Sequence, residues 1–418
     1  MHTALFVIIA CIMCASKVSM LLPNSFANLS TMIVTYAELK DISNLNEPLD
    51  INQLINIKNE MFSPTSTYMI TSLLLNGANE GLTENELKFF LKVPNKMSLN
   101  GYLAKLTNLN NMKYMKYMKL KLRTAVFVQK SVQLTDDFVS VCENKFNCLI
   151  SEVDFRDNLH VAHKINLWAQ IITNWMTDFV ISDIDKDTKI VLISVIYLNS
   201  RWLYFPEKTE KHKFHVSSSE LYFVPTIKFE KFIYGEIAHW NVTFIEILFL
   251  NNNVTMTVFL PNEDMEPGNL EYLEKEFNLD EFQSIRNTYK NDYFDHDMEL
   301  YLPMFTSECI HNMRQFFRHK NVSAMFEDIA DFTRLSKIPL KVNNIIQTIS
   351  VNIHEESSQF EVFALPVRER VRIPLRKPGP LQKLIVDRPF FYFVTVYGEL
   401  MFAGNVRVPN FVFMRDEL

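Results

Sequence analysis

The alternation of apolar and polar positions changes character along this chain. From about Leu49 to Val93 apolar residues fall at helical spacing, through Leu54, Ile55 and Ile57 and then Met69, Ile70, Leu73 and Leu74, which predicts helices. Ser63-Pro64 opens the second of them, since proline is tolerated in a first turn, and Asn76-Gly77 closes it with a C-terminal glycine. Thr124 to Val128 reads as a strand, and Val161 to Phe179, with Trp168 and Trp175, as an amphipathic helix.

The second half is richer in strands. Ile190 to Leu198 is an almost unbroken apolar run, as a central strand buried on both faces requires. Val242 to Leu250 and Val254 to Leu260 flank an Asn-rich turn and form a hairpin pattern. Leu270 to Phe282 is predicted helical, and strands return at Glu299 to Phe305, Ile345 to Ile353 and Phe390 to Val396. Helices first and strands afterwards imply an α+β architecture. No Gly/Ser- or Pro-rich linker or fixed-period repeat divides the 418 residues, so one large domain is expected.

With 48% hydrophobic residues the chain can build a large core. A net charge of -6 with interspersed signs gives no basic face for nucleic acid. The opening apolar run, followed by Ala15, Ser16 and Ser19, has signal-peptide length and is too short to span a bilayer, so residues 1–19 are expected to be a removable signal peptide and no membrane insertion is expected. Of the five cysteines, Cys142, Cys148 and Cys309 then remain. Their odd number excludes a complete disulfide framework, and Cys142 and Cys148 are left open between a bridge and buried thiols. Glycosylation sequons at Asn28, Asn241, Asn253 and Asn321 suit entry into an oxidising lumen. The last four residues, Arg415, Asp416, Glu417 and Leu418, match the retrieval address of the endoplasmic reticulum and imply a retrieval receptor as partner.

No nucleophile elbow, His-Glu-x-x-His helix, phosphate-binding loop or Cys-x-x-Cys pair occurs in the chain. No catalytic residue, metal or cofactor is therefore expected.

Four separated blocks resemble the serpin family. They are Asn59 to Thr67 with Leu75 to Ala78 and Thr83; Val191 to Trp202; Glu299 to Phe305, with its Leu-Pro-x-Phe pattern; and Asp387 to Phe393 with Phe402 to Val406 and Pro409. The resemblance implies a monomeric serpin domain over residues 20–414, with three β-sheets, about nine helices and an exposed reactive loop at about residues 355–386. In inhibitory members a protease cuts this loop, which then inserts into the main sheet with the acylated protease attached. Ser63, Pro64, Ser194, Trp202 and Gln347 fall in the region where that sheet opens; the family usually has Asn and His where Ser194 and Gln347 stand.

The hinge of the loop is Glu355, Glu356, Ser357, Ser358 and, further along, Phe360. Glu355 and Ser358 suit the family pattern, but inhibitory members favour Gly in place of Ser357 and small residues across Gln359 to Phe363. Side chains alternate in an inserted strand, so Phe360 and Phe363 face opposite sides and one bulky ring enters whichever side is buried. Pro366 cannot donate a ladder hydrogen bond. Counting from the hinge, the scissile bond falls close to Val371, with Arg370 or Arg372 as bait for an Arg-specific, trypsin-like serine protease. The collagen-specific chaperone branch of the family also ends in Arg-Asp-Glu-Leu, but Val394 to Gly398 lacks the Asp which that branch uses to hold collagen. Two readings follow: an inhibitor of serine-type endopeptidases, and a non-inhibitory binding protein or chaperone of the endoplasmic reticulum lumen.

Overall fold

The computed structural model describes residues 59–409 except 112–117, 178, 183, 201, 204–206, 218–219, 250–252, 263–268, 290–297 and 354–381. The expected signal peptide, Leu54 to Ile57, Asn28, the expected loop residues Glu355 to Arg372 and the expected retrieval tail lie outside the described residues.

The first part interleaves helices with strands: β1 (Met61–Phe62), α1 (Pro64–Gly77), α2 (Leu82–Leu91), α3 (Asn100–Asn111), β2 (Met118–Gln129), α4 (Asp136–Phe146), β3 (Leu149–Val153) and α5 (Asn158–Ile172). Strands then dominate: β4 (Ile190–Ser200), β5 (Glu207–His215), β6 (Leu221–Phe229), β7 (Ile233–Ile237), β8 (Val242–Leu248) and β9 (Val254–Pro261). After α6 (Asn269–Glu276) and α7 (Leu279–Arg286) come β10 (Met298–Pro303), β11 (Phe305–Asn312) and α8 (Arg314–His319). The last strands are β12 (Asn344–Ile353), β13 (Gln382–Ile385), β14 (Phe390–Val396) and β15 (Glu399–Val406).

Three sheets result. A six-stranded sheet runs β1-β15-β14-β9-β8-β7, a four-stranded one β13-β10-β6-β5, and the five-stranded main sheet β11-β12-β4-β2-β3. This is the expected α+β architecture. The Ile190 to Leu198 run is buried throughout and occupies the centre of the main sheet. The Asn-rich turn joins an antiparallel pair in register from Val242 opposite Pro261 to Leu248 opposite Thr255.

Helix α1 begins and ends where its sequence says. Ser63 Oγ accepts the Ser66 N–H at 3.1 Å, Pro64 fills the first turn, and every α1 residue except Asn76 is buried. An all-round buried helix belongs inside the core, and α1 passes between the six-stranded and main sheets, touching β15 and β4. Close packing is also needed at Gly404 of β15, where a Cβ would come 2.5 Å from the Glu60 carbonyl oxygen.

Three predicted elements are cut differently. The helix expected to reach Phe179 stops at Ile172, because Asn174 and Trp175 take left-handed backbone angles (φ 53° and 63°) and the Trp175 N–H turns back to Gln170 O at 2.7 Å. Trp168 packs edge-on against Phe127, whereas Trp175 is exposed. The stretch Leu270 to Phe282 is two helices; Asn278 breaks it by accepting the Glu281 N–H at 3.2 Å as the cap of α7. Glu299 to Phe305 belongs to two sheets, since Met304 leaves β10 by donating to Pro225 O at 2.9 Å and β11 then joins the main sheet.

Cys142, Cys148 and Cys309 are buried thiols. Burial raises the Cys148 thiol well above its usual range, and Cys142 beside it adds to the effect. Among the sequons, Asn253 and Asn321 are exposed, whereas Asn241 is half-buried and its side-chain oxygen accepts from Asn262 at 2.9 Å. No described helix is long and apolar enough to cross a membrane.

Candidate functional site

Strands β4 and β12 lie side by side and parallel at the middle of the main sheet, in register from Asn344 opposite Val191 to Val351 opposite Leu198. Their side chains alternate between two buried faces. Ile190, Leu192 and Ile196, with Ile345 and Ile349, join the large core around α1, while Val191, Ile193, Val195 and Ile346 join a smaller cluster beneath α5.

Polar residues interrupt both faces where the two strands meet. On the α1 side, Gln347 of β12 spans to the start of the helix: its Oε1 accepts the Ser63 N–H at 3.0 Å, and its Nε2 donates to Ser63 O and Thr67 Oγ1, each at 2.9 Å. The Ser63 hydroxyl donates to Met401 O of β15 at 2.6 Å. Ser194 of β4 meets Ser66 hydroxyl to hydroxyl at 2.5 Å. The N-terminus of α1 thus holds both strands, β12 through an amide and β4 through a hydroxyl, in a region where every partner is buried. Because each group is satisfied by another across the seam, separating the strands leaves buried donors and acceptors open until something replaces them.

The α5 side carries a second clasp. Ser350 of β12 shares a 2.9 Å hydrogen bond with Thr177. The segment that follows is fixed by Asn166 of α5, which accepts from the Val180 and Ile181 N–H groups at 2.9 and 3.0 Å and donates to Ile181 O at 2.9 Å. Sequence reading missed Ser66, Thr67, Asn166, Thr177 and Ser350. The available signal was polarity out of place: Ser350 within an apolar strand, Asn166 within an apolar helix, and the run Thr65-Ser66-Thr67 just after Ser63.

Trp202 stands just past the end of β4. It is buried, stacks on Phe249 with ring centroids 4.4 Å apart and interplanar angle 10°, and meets Phe229 edge-on at 5.1 Å. It therefore closes the end of the seam towards which β12 runs.

The chain leaves the seam at Ile353 and returns at β13, which pairs parallel with β10, Glu299 opposite Lys383. That return is charged. Glu299, nearly buried, accepts from Lys228 at 2.8 Å and from the Tyr301 hydroxyl at 3.0 Å, and Lys383 lies over the Tyr301 ring. Burial would raise the Glu299 carboxyl, but the Lys228 and Tyr301 hydrogen bonds outweigh it and hold the group below the usual carboxylate range. The structure thus gathers Ser63, Pro64, Ser194 and Gln347 at one seam, with Trp202 at its end.

The chain matches the sequence profile of the serpin (serine protease inhibitor) family over residues 49–409. It is 26% identical to alaserpin of Manduca sexta over 79% of this chain and 83% of that protein. It is 25% identical to human neuroserpin over 84% of this chain and 87% of that protein. Among solved structures, human thyroxine-binding globulin superposes with a TM-score of 0.75 at 19% identity, over 92% of this chain and 99% of that one.

Proposed function

The chain belongs to the serpin family, and from that premise we propose that it is an inhibitor of serine-type endopeptidases that offers Arg370 or Arg372 to trypsin-like proteases. The observation that carries this reading is the closed seam: β12 ends at Ile353, ahead of the Arg-bearing segment in the sequence, and β4 and β12 are paired with no strand between them. A chain that leaves β12 and folds back between the two strands exchanges one hydrogen-bonded ladder for two. At about 0.5–1.5 kcal/mol per net hydrogen bond, the exchange favours the inserted form. Cleavage near Val371 frees the loop to make it, and a protease still acylated at that moment is carried along.

The same reading places residues 1–19 in a signal peptide, 20–414 in the serpin domain and 415–418 in a retrieval signal, so the protein works in the lumen of the endoplasmic reticulum or along the secretory pathway. A second reading, a lumenal binding protein or chaperone without a working trap, is favoured by the hinge. Both faces of the seam are already filled, by Ser66 and Gln347 on one side and Thr177 on the other. Phe360 and Phe363 have to enter from opposite sides.

Mixing the purified protein with trypsin, followed by a denaturing gel and a thermal unfolding scan, separates the two. A covalent complex that survives denaturation supports inhibition. Cleavage at Arg370 or Arg372 with neither a complex nor a rise in melting temperature overturns it and leaves the binding role.

A further inference from the structure

Strand β1 pairs with β15 and also lies against β11. Along β11 buried and more exposed residues alternate, which puts Ser307, Cys309 and His311 on the inner face. That face meets Glu60, the residue before β1. The Glu60 carboxylate, the Cys309 sulfur and a ring nitrogen of His311 all lie within 4.8 Å of one another, with Cys309 and His311 buried and Glu60 partly so.

Two details indicate more than chance proximity. His311 Nε2 stands 2.5 Å from Met61 O. A carbonyl only accepts, so Nε2 carries the hydrogen and Nδ1 of the neutral ring bears the lone pair, the tautomer that metal-binding histidines are held in by a second partner. The second detail is Tyr392 of β14. Its hydroxyl is fully buried and makes no hydrogen bond among the described residues, its ring packs on Phe305 of β11 with centroids 5.3 Å apart, and it stands opposite Gly404, the residue with which Met61 also pairs. A buried hydroxyl without a partner is costly, and it marks this spot as one where a polar occupant is accommodated.

We propose that Glu60, Cys309 and His311 form a binding site for a zinc ion. Thiolate, imidazole and carboxylate together suit Zn²⁺ and not the all-oxygen ions Mg²⁺ or Ca²⁺. Three protein ligands leave a fourth position for a water. Binding releases the Cys309 proton to solvent, and the weak Cys309 bond to Asn59 O, at 3.4 Å, is given up. Nothing is oxidised or reduced.

The location ties the site to the seam. His311 is the cross-strand partner of Gln347 on the edge strand of the main sheet, and Glu60 is three residues before Ser63. A metal joining β11 to the start of β1 therefore braces the strand next to β12, which carries the Gln347 clasp, and it is expected to slow sheet opening as well as stabilise the fold.

The test uses the full chain, stripped with a chelator and titrated with Co²⁺ and then Zn²⁺. Expected are a thiolate-to-cobalt charge-transfer band, its removal by one equivalent of Zn²⁺, and a higher melting temperature with Zn²⁺. The C309S variant loses the band, the C142S/C148S double variant keeps it, and E60Q and H311Q bind more than about tenfold more weakly, beyond what loss of an outer partner alone costs at the low end. Absence of the band in the unaltered protein, or its persistence in C309S, overturns the site. Should C309S not fold, E60Q decides at the partly exposed position: an affinity within about twofold of the unaltered chain sinks the proposal.

Discussion

Gln347 shows how much one side chain settles. It supplies three of the hydrogen bonds that hold α1 to the main sheet, and its partners Ser63 and Thr67 are buried. Truncation in Gln347→Ala leaves the Ser63 N–H and carbonyl without those partners in a dry region, and a loss of about 2–3 kcal/mol is expected from stranded polar groups. Urea unfolding measures it directly; a change below about 0.5 kcal/mol would mean that a water takes over the role. Ser63 and Pro64 were legible from local sequence because a helix cap is a local device. The pairing of Ser63 with Gln347, 284 positions away, was not.

Elements carry the pH response. The Glu299 pair lies on β10 and β6, and β10 is the strand that receives β13, where the loop returns. The folded carboxyl is held below its unfolded value, so its contribution is present above about pH 4.3 and is lost as pH falls through the lower, folded value. Glu299→Gln should therefore flatten the decline of melting temperature below about pH 4, while lowering stability modestly at neutral pH. Parallel curves for the variant and the unaltered chain would assign acid sensitivity to other carboxylates. The element boundaries that sequence misplaced share a cause: apolar periodicity continues across Asn174, Asn278 and Met304, and the breaks are made by one backbone or side-chain hydrogen bond each.

At the scale of the whole molecule the proposed trap depends on whether β4 and β12 part quickly enough. Each Phe of the hinge that enters a filled face costs about 1–3 kcal/mol, and about 1.4 kcal/mol is tenfold in rate. Replacing Phe360 and Phe363 together by Ala is expected to raise the ratio of trapped to released trypsin by at least about tenfold, read from gel band intensities at fixed stoichiometry. An unchanged ratio would mean that ring size at the hinge does not control the partition.

The sequence by itself determined the family, the order of the main blocks, the start of α1 and the buried nature of β4, because caps and unbroken apolar runs are properties of neighbours along the chain. Only the tertiary structure decided that Ser194 faces Ser66, that Ser350 reaches Thr177, and that Glu60 meets Cys309 and His311. Periodicity tells which face of a strand is buried; which distant strand covers that face depends on the register of the whole sheet, and a single residue's pattern does not encode it.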